Sequence, residues 1–147
     1  IVGLADALAA KEERRLPIVA ISPRLSVLPA GRPNADPMEA LTSSRMIKIL
    51  DEAASVFDWI IIDTPPVLAV TDAVILAGRV SGVVFVVGSE MTRRAHAERA
   101  LETLQSGHPK SVTVVLNRVD FNRNKYYYSR YYGYQYKSYY GQTQGAA

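Results

Sequence analysis

WIIIDTPP occupies residues 59–66. Its apolar run, Trp59 to Ile62, has the length and continuity of a strand buried on both faces, the kind found in parallel sheets covered by helices. Asp63, the first polar residue after it, is then expected at the strand's C-terminal end, where open parallel sheets bind their ligands. A carboxylate placed there can reach a bound ion or its waters, and magnesium, which prefers oxygen ligands and keeps several waters, suits a single Asp. Pro65 and Pro66 fix φ and hold the strand exit in one geometry. The plainer alternative is that Asp63 only ends a strand and starts a turn.

On the N-terminal side, Gly3 to Ala10 reads as a short helix, followed by a charged linker at Lys11 to Arg15 and two β-rich runs, Ile18 to Ile21 and Leu25 to Leu28. Pro29 to Pro37 is a loop rich in Pro, Gly and Asn. From Pro37, a good first helical residue, Met38, Leu41, Met46, Ile47, Leu50 and Ala54 recur at helical spacing, which predicts one amphipathic helix ending near Phe57. On the C-terminal side, Thr71 to Gly78 reads as a helix capped by Thr71 or Asp72 and stopped at Gly78. Gly82 to Val87 and Val112 to Leu116 are expected as further buried strands. Between them Thr92 is expected to cap a helix to about Gln105, with Gly107 and Pro109 as its stop. Such alternation of apolar strands with helices predicts an α/β fold, a parallel sheet flanked by helices. No strand and glycine loop lead into the first helix, so the sheet is expected to be short of strands that lie before Ile1.

The 147 residues, 48% apolar, suffice for one domain and one core. There is no cysteine, which excludes disulfides, thiolate catalysis and cysteine-bound metal, and the two histidines, His96 and His108, cannot build a zinc site alone. No apolar run approaches the roughly 20 residues needed to span a bilayer. The net charge of +3 hides an asymmetry. Residues 122–147 carry Arg123, Lys125, Arg130 and Lys137 with no acid, so four of the 17 basic residues sit there and the body keeps 13 against 14 acidic ones. All nine tyrosines lie there too. The chain therefore divides into a domain at 1–121 and a tail at 122–147, expected to be disordered.

Two more features bear on chemistry. Asn117, in VVLNRVD at 114–120, ends the last expected strand, and its amide can both donate and accept, as the edge of an adenine ring requires. Asn is also common in such turns for local reasons. In the tail, KYYYSRYYGYQYKSYYG at 125–141, spaced tyrosines on an arm of 26 residues that extends to roughly 85 Å suit delivery to an active site on a neighbouring subunit. An adhesive low-complexity segment, or one that stacks on nucleic acid, is the competing reading.

Together LPAGRPNADPMEALTSS at 28–44, FDWIIIDTPPVLAVTDA at 57–73, LNRVD at 116–120 and the tyrosine cluster resemble the bacterial tyrosine kinases that regulate capsule and exopolysaccharide synthesis, in the same wider P-loop class as the partition ATPases. The resemblance spans essentially the whole chain. It implies a P-loop NTPase-like domain, incomplete here, that uses ATP and magnesium. It makes Asp63 the Walker B aspartate, catalytic and metal-binding, and sets Asn117 where the wider class contacts adenine. It makes Tyr126, Tyr127, Tyr128, Tyr131, Tyr132, Tyr134, Tyr136, Tyr139 and Tyr140 the phosphoacceptors, modified between protomers of a homo-oligomer. It further implies a membrane chain-length regulator or activator, separate or fused, a place at the cytoplasmic face of the membrane, and no nucleic-acid partner.

One departure is specific. No G-x-x-x-x-G-K-S/T phosphate loop occurs in the 147 residues, nor the family's second acidic motif that normally precedes this region. Without backbone amides and a lysine around the β and γ phosphates, phosphoryl transfer has no electrostatic agent. This polypeptide alone is therefore expected to be inactive, as the C-terminal part of a kinase. A kinase-dead adaptor that only accepts phosphate, or a partition-type ATPase, are the other readings.

Overall fold

A computed structural model describes residues 2–10, 15–32 and 36–120 of the chain. The tail, with its expected disorder and all nine tyrosines, lies outside the described residues.

The first helix, α1 (Leu4–Ala9), begins at Gly3, whose N–H donates to the Asp6 carboxylate at 2.8 Å. Its next two amides, which have no partner within a helix, donate to Pro29 O and Ala30 O at 2.8 Å each. The loop can come this close because Gly3 and Gly31 lack side chains: a Cβ on Gly3 would overlap Gly31 N and Pro29 O, and Gly31 holds φ +87°, where glycine is strain-free. Between these partners lies an antiparallel hairpin, β1 (Val19–Ser22) and β2 (Leu25–Val27), with a register irregularity between Ala20 and Ser22.

The single helix expected from Pro37 to Phe57 is two helices. In α2 (Pro37–Thr42), Asp36 caps by accepting from Glu39 N at 2.9 Å. The break falls at Ser43, whose hydroxyl donates to Ala40 O at 2.7 Å and accepts from Met46 N at 3.2 Å, ending one helix and capping α3 (Ser44–Val56). Hydroxyl side chains compete with the backbone in this way, and the apolar spacing carried no sign of it.

The run at 59–62 is the second correction. Among the described residues it is not paired in any sheet, and Trp59 and Ile61 are 87% and 91% exposed. The residues suit a strand, but a strand exists only when a neighbour takes its N–H and C=O groups. After a hydrogen-bonded turn, Ala69 N to Pro66 O at 2.8 Å, comes α4 (Asp72–Ala77), bounded by Thr71 and Gly78 as the sequence suggested, though Thr71 makes no side-chain cap.

The β–α–β unit expected from the sequence is present: β3 (Val83–Gly88), α5 (Arg94–Gln105) and β4 (Val112–Asn117), with β3 and β4 paired in parallel from Val83 opposite Val112 to Gly88 opposite Asn117. Thr92 does not cap α5; the N-cap is Arg93, without a side-chain bond. Neither strand is buried on both faces. Val84, Val86, Val114 and Leu116 are all more than half exposed in a sheet that has two strands among the described residues. The fold is thus mixed α/β with a small parallel sheet and a separate hairpin. Among the described residues the buried hydrophobic side chains are all helical: Ala7, Met46, Ile49, Leu76, Ala77, Ala100 and Leu104, with α2 against α4 and α4 against α5.

Candidate functional site

β3 and β4 end side by side, since Gly88 faces Asn117 in the parallel register, and Ser89 N extends the ladder by donating to Asn117 O at 2.8 Å. Both strands then leave through a non-glycine residue in the left-handed region, Glu90 at φ 59° and Arg118 at φ 59°. Such residues cost of order 1–3 kcal/mol each and concentrate at functional sites. Asn117 is exposed, and its Oδ1 accepts from Arg118 N at 2.8 Å, which holds the side chain at the strand end. From the same position Arg118 Nη1 reaches Met91 Sδ at 3.0 Å, in the turn between β3 and α5. Sequence reasoning singled out Asn117 and gave no sign of the Met91–Arg118 contact beside it; the left-handed backbone at Arg118 has no sequence signature outside Gly, Asn and Asp.

Asp63 ends the extended run, is exposed, and makes no side-chain hydrogen bond or ion pair among the described residues. One carboxylate does not hold magnesium by itself, and among the described residues no group of three or more His, Asp or Glu side chains could hold a metal. No backbone hydrogen bond joins residues 59–65 to β3 or β4, so Asn117, Met91 and Arg118 meet at the sheet's end while no ladder ties Asp63 to it.

The segment after Asp63 is anchored from behind. Arg79, just past α4, donates from Nη1 to Leu41 O at 3.0 Å and from Nη2 to Thr42 O at 3.2 Å, closing the carbonyl end of α2. Arg45 does the same for α1, Nε to Ala7 O at 2.6 Å. Cations at helix C-termini complement the helix dipole, so these contacts order the helices that follow the Asp63 loop and precede it. Among the described residues two ionisable groups have displaced pKa values. The Gly3 amide holds the Asp6 carboxyl below its ordinary 3.8, against some desolvation and with help from the Arg32 amide and charge. The carboxylate of Glu98, 2.7 Å from Arg94 Nε, raises Arg94. Among the described residues no helix is long and apolar enough to cross a membrane.

No family model matches the chain. Curated relatives do. It is 35% identical over 98 residues to tyrosine-protein kinase CpsD of Streptococcus agalactiae, covering 67% of this chain and 43% of that one. It is 34% identical over 133 residues to tyrosine-protein kinase YwqD of Bacillus subtilis, covering 90% of this chain and 55% of that one. Tyrosine-protein kinase wzc of Salmonella typhi matches 92% of this chain at 32% identity, over 19% of its own length. The chain spans about half the length of these relatives, or less.

Proposed function

Since the chain is related to bacterial tyrosine-protein kinases over most of its length, we propose that it is the part of an ATP-dependent tyrosine autokinase that carries the magnesium-site aspartate, the adenine-edge asparagine and the acceptor tyrosines. One observation carries this reading above the others: the same sequence that aligns with those kinases also gathers all its tyrosines into Tyr126–Tyr140, an arrangement that a partition-type ATPase has no use for.

In this reading Asp63 holds the waters of a magnesium ion, and Asn117 reads the edge of the base. The nucleotide's γ-phosphoryl group would pass to the oxygen of a tail tyrosine as the bond from its phosphorus to the bridging oxygen breaks, ADP leaving and the phenolic proton going to water, and reach favours the tail of a neighbouring protomer. The phosphate-binding loop belongs to a polypeptide longer than these 147 residues. Its strand pairs with the run at 59–62 in the sheet and the helix that follows it covers an open face of that sheet, giving the P-loop NTPase-like domain. The resemblance adds the setting: control of capsule or exopolysaccharide synthesis at the cytoplasmic face of the membrane, with a chain-length regulator or activator, separate or fused, as partner.

The test is label transfer. A polypeptide extended to include a G-x-x-x-x-G-K-S/T loop, given magnesium and γ-labelled ATP, is expected to take label on the Tyr126–Tyr140 peptide and to lose it when all nine tyrosines become Phe. The 147-residue chain alone is expected to take none. Label on the isolated chain, or label that persists in the nine-Phe variant, would sink the reading.

A further inference from the structure

We infer that the outer edge of β4 is a docking site for this chain's own tail, taken up as an antiparallel strand with Tyr132, Tyr134 and Tyr136 opposite Leu116, Val114 and Val112. The ladder between β3 and β4 sets which backbone groups are left over. Val83 N donates to Ser111 O at 2.9 Å and Ser89 N to Asn117 O at 2.8 Å. Backbone groups along a strand point alternately to its two sides, so Ser111, Thr113, Val115 and Asn117 serve β3. Val112, Val114 and Leu116 turn their N–H and C=O groups outward, where no strand among the described residues pairs with them. Such an edge is a template for a further strand. Beside it the side chains of Val114 and Leu116 share one face, and both are more than half exposed.

The tail, outside the described residues, offers a match in number and spacing. In YYGYQYK at 131–137, Tyr132, Tyr134 and Tyr136 alternate with Gly133, Gln135 and Lys137. Tyr favours strands, and a period of two suits a strand with one aromatic and one polar face. Opposite residues of an antiparallel pair lie on the same face, so this register sets the rings beside Val114 and Leu116 as cross-strand pairs. The other parity would put Gly133, Gln135 and Lys137 there. A chain that leaves β4 at its C-terminal end returns antiparallel without a crossover, and residues 118–131 are the whole connection. So short a tether gives an effective concentration on the order of millimolar, which favours the chain's own tail over that of a second copy. A phosphate on any of the three rings adds about −1.5 to −2 charge to the apolar face, so the docked form is the unmodified tail. Docking withdraws these tyrosines from a neighbouring active site, and that consequence alone rests on the kinase reading above.

The test needs no nucleotide. Amide exchange in the 147-residue chain, read residue by residue by NMR, is expected to show Val112, Val114 and Leu116 protected. Tyr134→Pro removes a ladder donor and should speed their exchange about tenfold or more, whereas Gln135→Pro, whose nitrogen faces solvent in this register, should not. Tyr134→Glu should act like Tyr134→Pro, and Tyr134→Phe like the parent. Protection should survive about tenfold dilution, since the contact is within one chain. Fast exchange of the three amides in the parent, equal effects of the two prolines, or protection that fades on dilution and so belongs to a second copy overturns the inference. In the loop-bearing polypeptide, Tyr134→Pro should speed the labelling of Tyr132 and Tyr136. An unchanged rate overturns the withdrawal alone, and no transfer in any variant sinks the kinase reading while the docking stands.

Discussion

Replacing Ile61 by Ser should leave the stability of the 147-residue chain almost unchanged and should destabilise a loop-bearing polypeptide severely. In the structure Ile61 is 91% exposed, so it gives up almost no buried area, and substitutions at such positions fall within about 0.5 kcal/mol. Leu104, 1% exposed on α5, is the internal reference: Leu104→Ala removes buried methyl groups and should cost about 2–5 kcal/mol in either polypeptide. If the strand and helix of the phosphate-loop segment pair with the run at 59–62 and cover its face, Ile61 becomes core, and its loss should then cost about as much as that of Leu104. Urea midpoints followed by circular dichroism give the four values. The neighbouring Trp59, the only tryptophan in the chain, reports independently. At 87% exposure its emission should resemble that of indole in water and be quenched by iodide, then turn blue-shifted and protected in the longer polypeptide. Protected emission from the 147-residue chain would refute the exposed run, and an Ile61→Ser cost below 0.5 kcal/mol in both polypeptides would refute sheet completion.

Asp6→Asn should reduce stability at neutral pH and not in acid. The carboxyl titrates below its ordinary 3.8 in the fold, so its contribution is complete above that value and disappears as pH falls through the lowered one; a destabilisation that persists at about pH 2 would assign the effect to packing instead. Phosphorylation of three tail tyrosines, at about −1.5 to −2 each, should take the tail from +4 to roughly zero or below and weaken protomer association in the loop-bearing polypeptide. Light scattering at low salt, where charge effects are largest, should then separate the phosphorylated form from the nine-Phe form; identical assembly would show that tail charge does not control it.

Much of the fold could be read from local pattern, because the elements concerned are local. Val83–Gly88 and Val112–Asn117 are apolar runs separated by an amphipathic helix, and such a β–α–β unit supplies its own pairing partner. The run at 59–62 carries the same signal, but pairing is a property of two segments, and composition cannot show whether the second is present. Ser43 divides a helix that spacing alone made continuous, and the signal was there in the consecutive hydroxyls of Thr42, Ser43 and Ser44. The fastening of Gly3, Asp6 and Gly31 joins residues far apart in sequence, so only the folded chain displays it. At the candidate site Asn117 was legible as a polar residue ending an apolar run. Arg118 and Met91 were not, since their meeting depends on a positive φ at Arg118 and on the register that sets β3 beside β4.

The kinase reading is tested most directly at Asp63. In a polypeptide that includes the phosphate-binding loop, Asp63→Asn keeps nearly the same side-chain volume at a position that is exposed and without a side-chain partner among the described residues, so the fold should be unaffected. The charge that would hold the waters of magnesium is gone. Transfer of label from γ-labelled ATP to the Tyr126–Tyr140 peptide should drop to background while the circular dichroism spectrum and urea midpoint match those of the parent. Near-parental label transfer by the Asn variant would contradict the account and leave Asp63 as the end of an extended run and nothing more.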